Sequence, residues 1–183
     1  LSTNSGTSAL QAAFFAIGLK EGDEVIAPAL TFHATATPIF STNATPVIAD
    51  CKSDTGNIDP KSIKKLITRR TKAIVITHLC GHPCEMDEIL KIKRKKKLFL
   101  IEDCSHAHGS TYKGKKVGSF GDIGCFSLDN NKLLAAGEGG VLVTNNKNFF
   151  ERALLASDFA GRLQNEVKIS NNVIYKDTGL GYK

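Results

Sequence analysis

The chain has 183 residues, enough to bury a real core within one domain, and its 42% apolar and 23% charged content is ordinary for a globular protein. No apolar run approaches the length of a membrane span and the first residues lack a basic-then-apolar secretion signal, so no membrane partner is expected. The formal net charge of +6 hints at an anionic partner, but much of it lies in Lys91-Ile92-Lys93-Arg94-Lys95-Lys96-Lys97. Glu85, Asp87 and Glu88 precede that run. Acids first and bases last suit a helix dipole, and no aromatic residue interrupts the basic run, so nucleic acid is not the partner.

Five cysteines, an odd number scattered through strand-like segments, suit reduced thiols in a cytoplasm better than a disulfide framework. The chain opens at Leu1 close to its first motif, its one methionine is Met86, and it closes on Gly181-Tyr182-Lys183. It reads as an internal piece of a longer protein.

Taken in chain order, helical spacing predicts a helix over Gly6 to Leu19, with Leu10, Ala13, Phe14 and Ile17 on one face. A strand over Glu24 to Ala27, a helix over His33 to Phe40 and a strand over Pro46 to Ala49 follow. Asp59-Pro60 is an N-cap followed by a first-turn proline, which starts a helix running to Thr68. Ala73 to Thr77 and Leu98 to Glu102 are continuous apolar runs of the kind buried on both sheet faces, and a helix over Asp87 to Lys97 separates them. Strands over Gly124 to Ser127 and Gly140 to Thr144 and a helix over Asn148 to Ser157 complete the pattern. Alternating strands and helices predict an α/β fold, three layers with a mostly parallel central sheet. Beyond Phe159 the pattern decays.

In open α/β sheets ligands gather past the carboxyl ends of the strands. Asp103 follows one strand, Ser127 ends another, and Ser5-Gly6-Thr7 opens a helix, so these groups converge on one rim. Ser5-Gly6-Thr7 suits an anion at a helix start, although alone it is equally a plain cap. Asp103 is expected to be buried and to need a cation, either a lysine or arginine or a pyridinium nitrogen. His106 stands three residues on. Lys132 lies between a small-residue turn and Gly137-Glu138-Gly139-Gly140, against a base rate that favours a surface lysine; a Schiff-base lysine needs such a setting to react as the free amine. His78-x-Cys80-x-His82-x-Cys84 and Cys104-x-His106-x-His108 hold zinc-type donors. Their alternating spacing on an extended strand would point them to opposite faces, so no metal site is expected.

The ordered set of motifs resembles the DegT/StrS-type sugar aminotransferases, a fold-type-I pyridoxal phosphate family. The resemblance runs through Asn4-Ser5-Gly6-Thr7-Ser8-Ala9-Leu10, Gly22-Asp23-Glu24-Val25-Ile26-Ala27-Pro28, Thr31-Phe32, Asn57-Ile58-Asp59-Pro60, Ile101-Glu102-Asp103-Cys104-Ser105-His106 and the block from Gly118 to Gly140. It implies a pyridoxal 5'-phosphate-binding large domain over residues 1–160, truncated at its N-terminus. Residues 161–183 would then begin the connection towards a small C-terminal domain. Gly6 and Thr7, beside Ser5 and with Ser127, would hold the phosphate. Phe32 would stack on the ring, where a core aromatic is the plainer reading, Asp103 would pair with the ring nitrogen and His106 would lie beside it. Lys132 would form the Schiff base and shuttle the proton.

The implied reaction passes an amino group from glutamate or glutamine to a nucleotide-linked keto-sugar, in a cytoplasmic homodimer. Lysine at 132 favours transamination over the sugar dehydratases of the family, which carry histidine there. Lys183 stands where the family commonly has an asparagine that reaches the neighbouring subunit's phosphate. Dehydration, amination of a keto-inositol, a non-catalytic regulatory homologue and a metal-binding module are the rival readings.

Overall fold

The computed structural model describes residues 1–157. The expected connection over 161–183, with Lys183, and the last residues of the expected large domain lie outside the described residues. Within them a seven-stranded sheet forms from β1 (Ser2–Thr3), β2 (Glu24–Pro28), β3 (Thr45–Ala49), β4 (Thr71–Thr77), β5 (Phe99–Asp103), β8 (Ile123–Ser127) and β9 (Gly140–Val143). Its order is β1-β9-β8-β5-β4-β2-β3. The pairings β8/β5, β5/β4, β4/β2 and β2/β3 are parallel, and β9 runs antiparallel to both its neighbours. A separate hairpin joins β6 (Thr111–Tyr112) to β7 (Lys115–Lys116).

Strand residues alternate between the two faces, and each face buries its own core. Val25, Ala27, Ala73, Val75 and Ile101 pack with the helix α1 (Gly6–Ala16), and Ala153 of α4 (Lys147–Ser157) joins the same cluster. Ile26, Ile74, Ile76 and Leu100 face the other way, towards Ile63 of α2 (Pro60–Leu66) and Met86, Ile89 and Ile92 of α3 (Met86–Lys96). The result is the three-layer, mostly parallel arrangement that the strand–helix alternation predicts. Helix α1 is rich in alanine at its buried positions, Ala9, Ala12, Ala13 and Ala16, so it lies close against the sheet.

Several boundaries differ from the sequence-based expectation, each for a local reason. Helix α1 stops at Ala16 rather than Leu19 because Gly18 takes a left-handed backbone (φ +75°) and Leu19 N–H returns to the Phe14 carbonyl. Helix α2 stops at Leu66 rather than Thr68, since Ile67 is extended and the Thr68 hydroxyl bonds the Glu24 carboxylate. The expected helix over His33 to Phe40 is two short 3-10 turns, His33–Thr35 and Thr37–Thr42. Pro38 offers no N–H to a longer helix, and the Thr35 side chain is drawn to Asp103. Helix α3 has Asp87 and Glu88 in its first turn and Lys93 to Lys96 in its last, so the basic run is the end of a dipole-matched helix. No helix among the described residues is long and apolar enough to cross a membrane.

Candidate active site

The ends of β4, β5 and β8, the start of α1 and the turn after Phe32 surround one cavity of about 610 Å³. The eight residues that the resemblance assigns to the catalytic and cofactor site all line it: Ser5, Gly6, Thr7, Phe32, Asp103, His106, Ser127 and Lys132. Thr31, Thr77 and Ser105 line it as well.

Helix α1 brings its N-terminus to the cavity by close contact. A Cβ on Gly6 would lie 2.8 Å from the Ser127 Cβ, so only glycine lets the helix start rest on the end of β8. Ser5 both lines the cavity and caps the helix, its hydroxyl accepting from Ser8 N–H at 3.1 Å. Ser8 gives its own proton to Asn4 Oδ1, so Ser5 is the donor in the 3.0 Å contact between the two serine hydroxyls. The N–H groups of Gly6 and Thr7 and the hydroxyls of Thr7 and Ser127 remain for an anion.

Lys132 stands on a loop that closes at its base. Leu128 N–H bonds Gly139 O at 2.8 Å, and Ala136 N–H bonds Leu128 O at 2.8 Å. Inside the loop Asp129 accepts from Lys132 N–H through its carbonyl, and from Asn131 N–H through its carboxylate, both at 2.9 Å. Gly139 bridges to Ser5, which sets the loop base beside the start of α1. The Lys132 side chain forms no hydrogen bond or ion pair among the described residues.

Asp103 ends β5 and is 4% exposed. Its Oδ2 accepts from the Thr35 hydroxyl at 2.6 Å and its Oδ1 from Ser105 N–H at 3.1 Å. Of the two partners read as open from the sequence, the protein cation is absent: Asp103 forms no ion pair among the described residues. A carboxylate so deeply buried with neutral partners only is a receptor for a cation entering the cavity. His106 Nδ1 is buried there without a hydrogen-bond partner. Phe32 stands at the mouth, 61% exposed.

Glu102, the other acid of the pair, points away from this cavity and does something the sequence reading did not assign. It is fully buried; its Oε2 accepts from Gly118 N–H at 2.7 Å and from His78 Nε2–H at 3.0 Å. Its Oε1 accepts from the N–H groups of Phe120 at 2.7 Å and Gly121 at 2.5 Å. The carboxylate thus gathers the turn that leads into β8. Burial pushes the Glu102 carboxyl up, but the bonds from His78, Gly121 and Gly118 outweigh it and hold the group below its ordinary range. Period-two alternation was the available signal, since adjacent acids on a strand cannot face the same way.

The histidine and cysteine clusters do not assemble as their spacing suggests. Leu79–Gly81 is a 3-10 turn, not the extended strand expected, and Cys80 sits there with a left-handed backbone. Among the described residues the one group of three metal-type ligand atoms within 4.8 Å of one another is His78, Glu102 and Cys104. Its donors are already engaged: His78 Nδ1 accepts from Cys84 N–H at 3.1 Å, which places the ring proton on Nε2, aimed at Glu102. All five cysteines are free thiols.

A helix start, a buried carboxylate without a cation and an unpartnered lysine thus surround one cavity at the strand ends of an α/β sheet. The chain belongs to the DegT/DnrJ/EryC1/StrS aminotransferase family, which matches residues 1–183. It is 48% identical over 151 residues to GDP-perosamine synthase of Escherichia coli O157:H7, covering 82% of this chain and 42% of that protein. It is 41% identical over 151 residues to the L-glutamine:2-deoxy-scyllo-inosose aminotransferase of Micromonospora echinospora, covering 82% and 36%. The solved aminotransferase from Psychrobacter cryohalolentis superposes with a TM-score of 0.88 at 36% identity, covering 100% of this chain and 48% of that one. The chain thus spans less than half the length of these relatives. Pyridoxal phosphate is the cofactor of the family.

Proposed function

We propose that this chain is the cofactor-binding core of an aminotransferase that moves an amino group from glutamate or glutamine to a nucleotide-linked keto-sugar. The observation that carries the reading is the Asp103 carboxylate, buried without a cation, on the same cavity as Lys132 and the start of α1. A phosphorylated cationic ring with an aldehyde is the ligand these groups suit. Bound there, pyridoxal phosphate supplies a carbonyl for amines and a pyridinium ring that draws electrons from the carbon being deprotonated.

The chain's own residues divide the remaining work. Gly6, Thr7 and Ser127 would hold the phosphate, with Ser5 capping the helix that presents the Gly6 and Thr7 N–H groups. Asp103 would keep the proton on the ring nitrogen, and Phe32 and His106, which line the same cavity, would hold the ring. Lys132 Nζ would be the amine that holds the cofactor through its carbonyl carbon and, once displaced by the substrate amine, the base that takes and returns the proton of the substrate carbon that bears nitrogen.

The name of the E. coli relative supports a nucleotide-linked sugar as acceptor. The name of the Micromonospora relative supports a keto-inositol as the second reading and glutamine as a donor. Lysine rather than histidine at 132 speaks against dehydration. A homodimer in the cytoplasm completes the proposal; it accounts for Leu133 and Leu134, next to Lys132 in the chain and 81% and 60% exposed. The test is nitrogen transfer. The full-length protein given glutamate or glutamine labelled with ¹⁵N on the transferred nitrogen, and a panel of nucleotide-linked keto-sugars and keto-inositols, should yield one labelled amino product. Cofactor binding with no transfer to any acceptor would favour a regulatory role.

A further inference from the structure

Asp103 is reached by a chain of three threonine hydroxyls, and counting protons gives that chain a direction. A carboxylate only accepts, so Thr35 Oγ1, 2.6 Å away, gives Oδ2 its single proton. Thr35 Oγ1 also lies 2.7 Å from Thr31 Oγ1, and with its own proton used it must accept there. Thr31 in turn lies 2.8 Å from Thr77 Oγ1, and with its proton given to Thr35 it accepts from Thr77. The 3.3 Å contact between Thr35 and Thr77 is a longer alternative for that same Thr77 proton. The order Thr77 to Thr31 to Thr35 to Asp103 is the assignment in which every short contact holds one proton.

The geometry points to Thr35 as a positioning residue for Asp103, with Thr31 and Thr77 acting through it. Thr35 is fully buried and does not line the cavity, so it acts on a ligand through the carboxylate. Thr77 is the last residue of β4 and pairs in register with Asp103 on β5. Thr31 and Thr35 flank Phe32 on a turn that has no strand partner of its own. The chain of hydroxyls therefore fastens the Phe32 turn to the strand ends and fixes Oδ2 at the same time. Successive donors aimed one way polarise each other, so the last bond, to the carboxylate, gains most. An aliphatic residue at 35 would fill the space and leave Oδ2 with no partner from the protein.

This inference rests on the cavity being the pyridoxal phosphate site, and its test separates the two. The readout is the dissociation constant of pyridoxal phosphate for the full-length apoprotein, followed by cofactor absorbance, in a double-mutant cycle. Thr35→Val should weaken binding about ten-fold, and Thr35→Ser, which restores the donor, should stay within about two-fold of wild type. In an Asp103→Ala background, Thr35→Val should change binding by less than about two-fold, because the group it acts through is gone. Should Thr35→Val fail to fold by circular dichroism, Thr77→Val takes its place, being well suited to a strand. It should weaken binding about three-fold, again only when Asp103 is present. Wild-type affinity in the valine variant, or an equal loss with and without Asp103, would overturn the positioning role. A wild-type protein with no saturable binding would instead overturn the functional reading and this inference with it.

Discussion

Glu102→Gln keeps the shape of a buried side chain and exchanges one acceptor oxygen for an NH2 group. In the native protein each carboxylate oxygen serves two donors, Phe120 and Gly121 at Oε1, and Gly118 and His78 at Oε2. Whichever way the amide is turned, its NH2 faces two N–H groups. Two buried bonds to a charged acceptor are lost and two donors are stranded. A hydrogen bond to a charged group contributes about 1.5–3 kcal/mol, so losing two of them gives an expected loss of about 3–6 kcal/mol. That is a large share of a domain stability of about 5–15 kcal/mol.

Urea unfolding at pH 7 should show it as a clear fall in the midpoint. The pH dependence follows from the depressed carboxyl. A group held below its ordinary value of 4.5 contributes stability that is complete above that pH and lost as pH falls through the lower folded value. Wild type should therefore lose stability as the pH drops below about 4.5, and Glu102→Gln should lose less over the same window. A variant within about 1 kcal/mol of wild type at pH 7, or one with an unchanged acid slope, would show that the Glu102 carboxylate does not hold the turn together.

Gly6→Ala places a Cβ 2.8 Å from that of Ser127, so the helix start must move away from β8. Pyridoxal phosphate affinity should fall about ten-fold or more with helical content intact, and unchanged affinity would contradict the close contact. Burial holds the Cys104 and Cys125 thiols well above their ordinary range, and raises Cys84 too. A thiol reagent at neutral pH should label exposed Cys80 first and Cys51 more slowly, and reach the other three only on unfolding; rapid labelling of five thiols in the native protein would contradict the packing. Asp103→Ala should reduce turnover by two or more orders of magnitude, about 3 kcal/mol or more of barrier, and normal turnover would remove Asp103 from the mechanism.

Much of the site was legible in the sequence because each of its residues follows a strand end or opens a helix, and those elements carry strong signals. The runs Ala73-Ile74-Val75-Ile76 and Leu98-Phe99-Leu100-Ile101 become adjacent strands β4 and β5, which is why Asp103 lands on the cavity rim. What escaped was set by contacts distant in sequence. Thr31, Thr35 and Thr77 are unremarkable singly and become a network only when the turn after Phe32 meets the end of β4. The same contact replaces the helix that the spacing over His33 to Phe40 predicts. Strand β1 and the β6–β7 hairpin are two-residue polar segments, too short to show any period. Glu102 was read only as half of an acidic pair, because its four partners come from His78 and a turn sixteen to nineteen residues further on.

Borohydride reduction of the full-length protein with pyridoxal phosphate, followed by peptide mapping, identifies the amine that the cofactor engages. A single pyridoxyl group on Lys132, absent from a folded Lys132→Ala variant, is the predicted result. A folded protein that takes up no label, or takes it at another lysine, would contradict the account.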